Sequence, residues 1–203
     1  MMMYQSMTTT RKNIAAIRGV GWGWLIAPES RSWDPKGMSY VLDNGAWSAF
    51  NSNIPWDGAK YGALVDRLGS GADFVIAPDI VAGGLESLSL SLSWLSRLSG
   101  LRLVAVQDGM EPSDLAPVVG PTVGIALGGS TEWKLLRMRD WGRFCRRHGC
   151  YYHVLRVNTL RRIRYAFDAG ADSVDGSRCS RFGNDVGLLD NEIRQERLWK
   201  SVP

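Results

Sequence analysis

The chain of 203 residues has no apolar run approaching the ~20 residues needed to cross a bilayer, so no membrane-spanning helix is expected. Its start, MMMYQSMTTTRKN, lacks the apolar stretch of a secretory signal, which makes the cytoplasm the expected compartment. Cysteine is scarce: Cys145, Cys150 and Cys179 are an odd count without CxxC spacing, so reduced, packed thiols are expected instead of a disulfide framework. The only histidines, His148 and His153, stand near two of these thiols. Cys150 and His153 straddle a helix-to-strand junction, however, and a tetrahedral zinc site needs four converging ligands. Packing cysteines, surface histidines and no bound metal or cofactor are therefore expected. Internal repeats, low-complexity tracts and linkers are also lacking, which implies one domain over residues 1–203.

Apolar residues make up 45% of the chain and charged residues 22%, the balance of an ordinary globular protein. The net charge is only +4, but residues 131–164 hold ten Lys or Arg against two Asp or Glu, which leaves the remainder net negative. A local patch of one sign attracts a polyanion by releasing its condensed counterions, and a solvated helix face is the alternative source of such a patch.

Short apolar runs alternate with segments of helical spacing, the rhythm of a parallel sheet with crossover helices. The strand candidates are IAAIRG (14–19), WLIAP (24–28), YVLDNG (40–45), FVIAPD (74–79), LVAVQDG (103–109), VGIALGG (123–129), HVLRVN (153–158) and DSVDGS (172–177). The Ala-rich first run is equally compatible with helix. Helical spacing marks 55–71, 85–100, 130–149 and 159–170, several of which end in glycine as a C-cap. A shorter helix within 111–120 has Ser113 as an N-cap candidate, and 178–203 reads as a closing helix. Eight strands with intervening helices predict a compact (β/α)₈ barrel. In such a barrel the chemistry lies at the C-terminal strand ends, where Asp43, Asn44, Asp79, Gln107, Asp108, Gly128, Gly129, Asn158 and Asp175 fall.

The run GADSVDGSRCSRFGN resembles the nucleophile motif of the tRNA-guanine transglycosylase (queuine tRNA-ribosyltransferase) superfamily, with Asp175 in the nucleophile's place. YVLDNGAWSAF resembles the strand carrying that family's second catalytic aspartate, here Asp43. FVIAPDI, LVAVQDGM and VGIALGGSTEWK follow in the family's order, so Asp79, Gln107, Gly128 and Gly129 correspond to its base-reading residues. HVLRVNTLRRIRYAFDAG is similar to its penultimate strand and helix, with Arg156 and Asn158 where small residues are usual. The resemblance spans about residues 40–184. Departures are also clear: Asn44 replaces the usual Ser, Ile80 and Val81 replace polar neighbours, and only Cys179 follows Asp175, so the cysteine-rich zinc subdomain of the tRNA-acting members is missing.

Loss of that subdomain resembles the short DNA-guanine transglycosylases of phages and bacterial 7-deazaguanine DNA-modification systems. The resemblance implies an enzyme that exchanges guanine in DNA for a 7-deazaguanine such as preQ0 through a covalent aspartyl-glycosyl intermediate. Asp175 and Asp43 would be catalytic, and Asp79, Gln107, Gly128, Gly129 and Asn44 would bind the base. Trp47, Tyr40 and Met110 are candidates to stack on it. Arg178, Arg181, Lys134 and Arg156 would hold phosphates, since Arg and Lys commonly bind them. A tRNA-acting enzyme with a partner subunit and a non-catalytic nucleic-acid-binding barrel are the alternatives, and both a monomer and a homodimer are compatible with the chain.

Overall fold

Successive side chains of a strand point to opposite faces, and in this chain both faces of nearly every strand are buried. The computed structural model, which describes residues 1–199, shows the result: a closed parallel barrel of β1 (Met2–Ser6), β2 (Gly23–Ile26), β3 (Tyr40–Leu42), β4 (Val75–Ile76), β5 (Arg102–Val106), β6 (Val123–Leu127), β7 (Tyr152–Val154) and β8 (Ser173–Gly176). Each strand pairs with the next, and β8 returns to β1 in the register Met2↔Ser173 to Gln5↔Gly176. Between and after the strands run α1 (Arg11–Gly19), α2 (Ala46–Asn51), α3 (Gly58–Leu68), α4 (Gly84–Trp94), α5 (Pro112–Leu115), α6 (Thr131–His148), α7 (Leu160–Asp168), α8 (Arg178–Arg181) and α9 (Val186–Trp199). The fold is a small (β/α)₈, TIM-like barrel.

The alternation divides the core in two. One set, including Met3, Trp24, Ile26, Leu42, Val104, Leu127 and Val174, packs outward with the helices. The other, Tyr4, Leu25, Val41, Phe74, Ile76, Leu103, Ala105 and Ala126, fills the barrel interior. His153 also lies inside, fully buried against Phe74 and Tyr4. Among the described residues no helix is long and apolar enough to cross a membrane.

Seven of the eight expected strands are present, but 14–19 is not the first of them. It lies in α1, which buries Asn13 and Ile17. The first strand is instead MMYQS, whose three inner residues are buried between β2 and β8. Its short, Met-rich sequence has no flanking turn residue to announce a strand, and its pairing comes entirely from the neighbours that close the barrel. The short helix after β5 has Glu111, not Ser113, as N-cap: Glu111 and Asp114 bond reciprocally to each other's backbone N–H as a capping box, with Pro112 inside the first turn. The expected closing helix corresponds to α8 and α9, and residues 200–203 lie outside the described residues.

Candidate active site

The C-terminal strand ends surround an open cavity of about 1210 Å³. Asp43, Asn44, Asp79, Gln107, Gly128, Gly129, Arg156 and Asp175 all line it, so the structure brings most of the residues singled out from the sequence to one place. What each can do there depends on its bonds.

Asp175 is nearly buried at the end of β8. Its Oδ1 accepts from the backbone N–H of Arg156 at 3.0 Å and lies 3.2 Å from His153 Nε2. The His153 Nδ1 is in turn 2.7 Å from Ser173 Oγ, so three side chains of β7 and β8 form one chain beneath the cavity. Arg156 holds an uncommon left-handed backbone, φ 60°. Its guanidinium donates to the Gly129 carbonyl and lies 4.0 Å from the centre of the Trp47 ring. Trp47 is the one of the three stacking candidates that lines the cavity. Met110 is sealed in the outer core, and Tyr40 donates its hydroxyl to the Leu68 carbonyl at the far end of β3.

Asp43 accepts from the Gly45 N–H at 3.3 Å, with Gly45 in the left-handed region at φ 76°. Burial, followed by the charges of Asp175, Glu29 and Asp79, pushes its carboxyl up to about 8. This carboxyl therefore carries a proton around neutrality. Asp79 is also raised, chiefly by burial, while a hydrogen bond from Asn44 at 2.8 Å and the charge of Arg156 oppose the shift.

Asn44 is a brace more than a reader. Its amide donates to the Ala77 carbonyl and to Asp79, its oxygen accepts from the Ala46 N–H, and its carbonyl accepts from Trp56 Nε1. These bonds tie the end of β3 to the end of β4 and start α2. The serine-rich helix α4 braces the same segment: Ser91 donates to the Pro78 carbonyl at 2.7 Å, and Ser87 accepts from the Ile80 N–H at 3.0 Å. Both serines are buried one turn apart on the same helix face. Ser87 also accepts from Gln107 Nε2 at 2.7 Å, and the Ile80 carbonyl accepts from the same nitrogen. With its nitrogen committed, Gln107 offers its oxygen to the cavity.

The glycine pair is asymmetric. The Gly128 N–H is spent on the Val106 carbonyl, whereas the Gly129 amide has no partner among the described residues. Gly129 has φ 74°, and a Cβ there would stand 2.5 Å from Asp108 Oδ2, so this turn admits only glycine without rearrangement. Asp108 fixes the turn by accepting from both the N–H and the hydroxyl of Ser130. Asn158 similarly accepts from the N–H groups of Ser177 and Arg178 and so starts α8.

No protein-family model matches this chain, and neither does any curated protein.

Of the expected phosphate contacts, Lys134 is not available. It is 1% exposed, with its ammonium donating to the Leu155 carbonyl, and burial followed by the nearby charge of Arg156 pulls its pKa down to about 7. Arg178 is exposed but paired with Asp185 at 2.7 Å, and it stands outside the cavity wall. Arg181 lines the mouth, as does Arg31 in the long β2–β3 connection, and neither has an ion-pair partner among the described residues. Arg31 belongs to no motif and has no sequence signal.

The basic helix α6 is partly paired with acidic residues. Arg137 pairs with Glu111, Arg139 with Asp168 and Arg143 with Asp140, while Arg146 donates to the Ala169 carbonyl. His153, expected at the surface, is wholly buried instead. Alternation along β7 is the signal that could have found it, since His153 shares parity with Tyr151 and Leu155, both packed on the inner cluster. All three cysteines are buried and unpaired, and no group of three or more His, Cys, Asp or Glu among the described residues could hold a metal ion.

Proposed function

We propose that this protein is a base-exchange transglycosylase acting on guanine in DNA and inserting a 7-deazaguanine of the preQ0 type. The observation that carries the reading is the meeting of two carboxyl groups in one cavity: Asp175, anchored through a single oxygen, and Asp43, which burial and its acidic neighbours raise to about 8. Two carboxyl groups whose surroundings separate their roles are the usual basis of glycosidic chemistry with a covalent intermediate.

In the first step Asp175 Oδ2 attacks the anomeric carbon, the bond to the base nitrogen breaks, and its electron pair leaves with the base, which takes the proton of Asp43. In the second, the incoming base attacks the same carbon and returns a proton to Asp43. The bond to Asp175 then breaks, giving net retention. The oxygen of Gln107, the carboxyl of Asp79 and the Gly129 amide supply acceptors and a donor for a purine edge, and Trp47, whose ring is partly covered by Arg156 and Phe50, gives an aromatic edge beside it. A cavity of about 1210 Å³ exceeds the ~300–1,000 Å³ usual for small-molecule pockets and has room for a nucleotide extruded from a strand. Arg31 and Arg181 at the mouth suit its flanking phosphates.

The test is to offer labelled guanine or preQ0 with DNA or with tRNA. Label entering DNA with wild-type protein and not with Asp175→Asn is the expected result. Label entering tRNA alone would replace the DNA assignment with a tRNA one, and normal turnover by Asp175→Asn would end both.

A further inference from the structure

Both bonds that hold Asp175 fall on Oδ1: the Arg156 N–H at 3.0 Å and the His153 ring at 3.2 Å. A carboxylate only accepts, so the His153 Nε2 is the donor, and Ser173 Oγ at 2.7 Å from Nδ1 fixes the plane of the ring. The ring has no freedom to turn away, being fully buried with its centre 4.9 Å from that of Phe74 and 6.4 Å from that of Tyr4.

We infer that His153 is a positioning residue that reserves Oδ2 of Asp175 for attack and stabilises Oδ1 when the carboxylate departs. The inference rests on the reading of Asp175 as nucleophile and adds a role for the buried histidine. Once the sugar is bound through Oδ2, Oδ1 becomes the ester carbonyl, and the two donors polarise it. When the incoming base displaces Asp175, the electron pair of the breaking C–O bond spreads onto Oδ1, where the same donors receive it. His153 thus assists the leaving step more than the attacking step, because donors that stabilise a carboxylate also moderate it as a nucleophile. Arg156 contributes through its backbone, so that donor survives side-chain substitution.

The decisive experiment follows a single-stranded oligodeoxynucleotide containing one guanine, with labelled free guanine as the incoming base. The wild type, His153→Phe and His153→Gln are compared by quenched-flow measurement of the covalent protein–DNA adduct and of label uptake. Phe keeps the ring packing against Phe74 and Tyr4 but loses the donor, whereas Gln can return an N–H to the position of Nε2. A hydrogen bond to a charged group corresponds to about a ten- to hundredfold rate effect. His153→Phe is accordingly expected to slow adduct breakdown by that factor, with formation changed much less, so that adduct accumulates, and His153→Gln is expected to restore most of the breakdown rate. Equal slowing of both steps, or no change in their ratio, overturns the role of His153 while leaving Asp175 as nucleophile. Absence of any adduct with the wild type overturns the nucleophile and this role together. As a readout independent of turnover, the ¹⁵N resonance of His153 Nε2 in the free protein is expected to carry a proton and to shift in Asp175→Ala. An unprotonated Nε2 would overturn the inference whatever the activity.

Discussion

Asp43 is the residue whose environment makes the sharpest claim about pH. An ordinary aspartate titrates near 3.8, whereas burial and the neighbouring carboxylates raise Asp43 to about 8 in the folded protein. Between those values the folded state binds the additional proton, so the stability associated with this group is complete below the unfolded value and is lost as pH rises through about 8. The melting temperature of the wild type is expected to fall between pH 5 and pH 9. Asp43→Asn, which is neutral throughout, should flatten that fall, melting roughly 2–8 °C higher than the wild type at pH 9 while losing base exchange. A parallel pH dependence in the two proteins would refute the assignment. At this scale the sequence was legible where a residue ended an apolar run, as with Asp43, Asp79, Gln107 and Asp175. It was opaque where a polar residue served the interior. Lys134 and His153 looked like surface groups because polarity is the ordinary mark of exposure, and their partners, the Leu155 carbonyl in one case and Ser173 with Asp175 in the other, come from another element or a neighbouring strand.

Among the elements, β1 shows what local sequence does not contain. Seven strands were readable because they are short apolar runs, most of them closed by Asp, Asn or Gly. Met2–Ser6 is led by methionines, which are not strong strand formers, and the β2 and β8 edges on either side of it determine its conformation. The adjacent Ala-rich run forms α1 because its buried positions, Asn13 and Ile17, are one turn apart. Removing residues 1–6 is expected to leave two unpaired strand edges and an open core, abolishing cooperative thermal unfolding and promoting aggregation. Circular dichroism of the shortened chain checks this. A cooperative melt within a few degrees of the full chain would show that closure contributes little. Helix α4 was legible from its apolar spacing, whereas the part its serines play was not: Ser87 and Ser91 are buried and anchor the Pro78–Ile80 segment that presents Asp79.

For the whole molecule, the distribution of charge matters more than the net +4. The cluster over residues 131–164 was open to two readings, a nucleic-acid footprint or a solvated helix face, and three of the α6 arginines are paired with acidic residues, which a one-dimensional count cannot register. The cations at the cavity mouth are Arg31 and Arg181, which lie 150 positions apart in the chain and meet only through barrel closure. Replacing both by Ala is expected to weaken binding of a single-stranded oligonucleotide and to lower the log–log salt slope by about 1.4, whereas Arg139→Ala with Arg143→Ala should leave the slope unchanged. The reverse pattern would move the footprint to α6. Whether Asp175 becomes covalently bonded to a sugar is decided by intact-protein and peptide mass spectrometry after denaturing quench of the protein with a guanine-containing oligodeoxynucleotide. The expected result is an added mass equal to the oligonucleotide less one guanine, localised to Asp175. An adduct on another residue, or guanine exchange proceeding with no adduct, would contradict it.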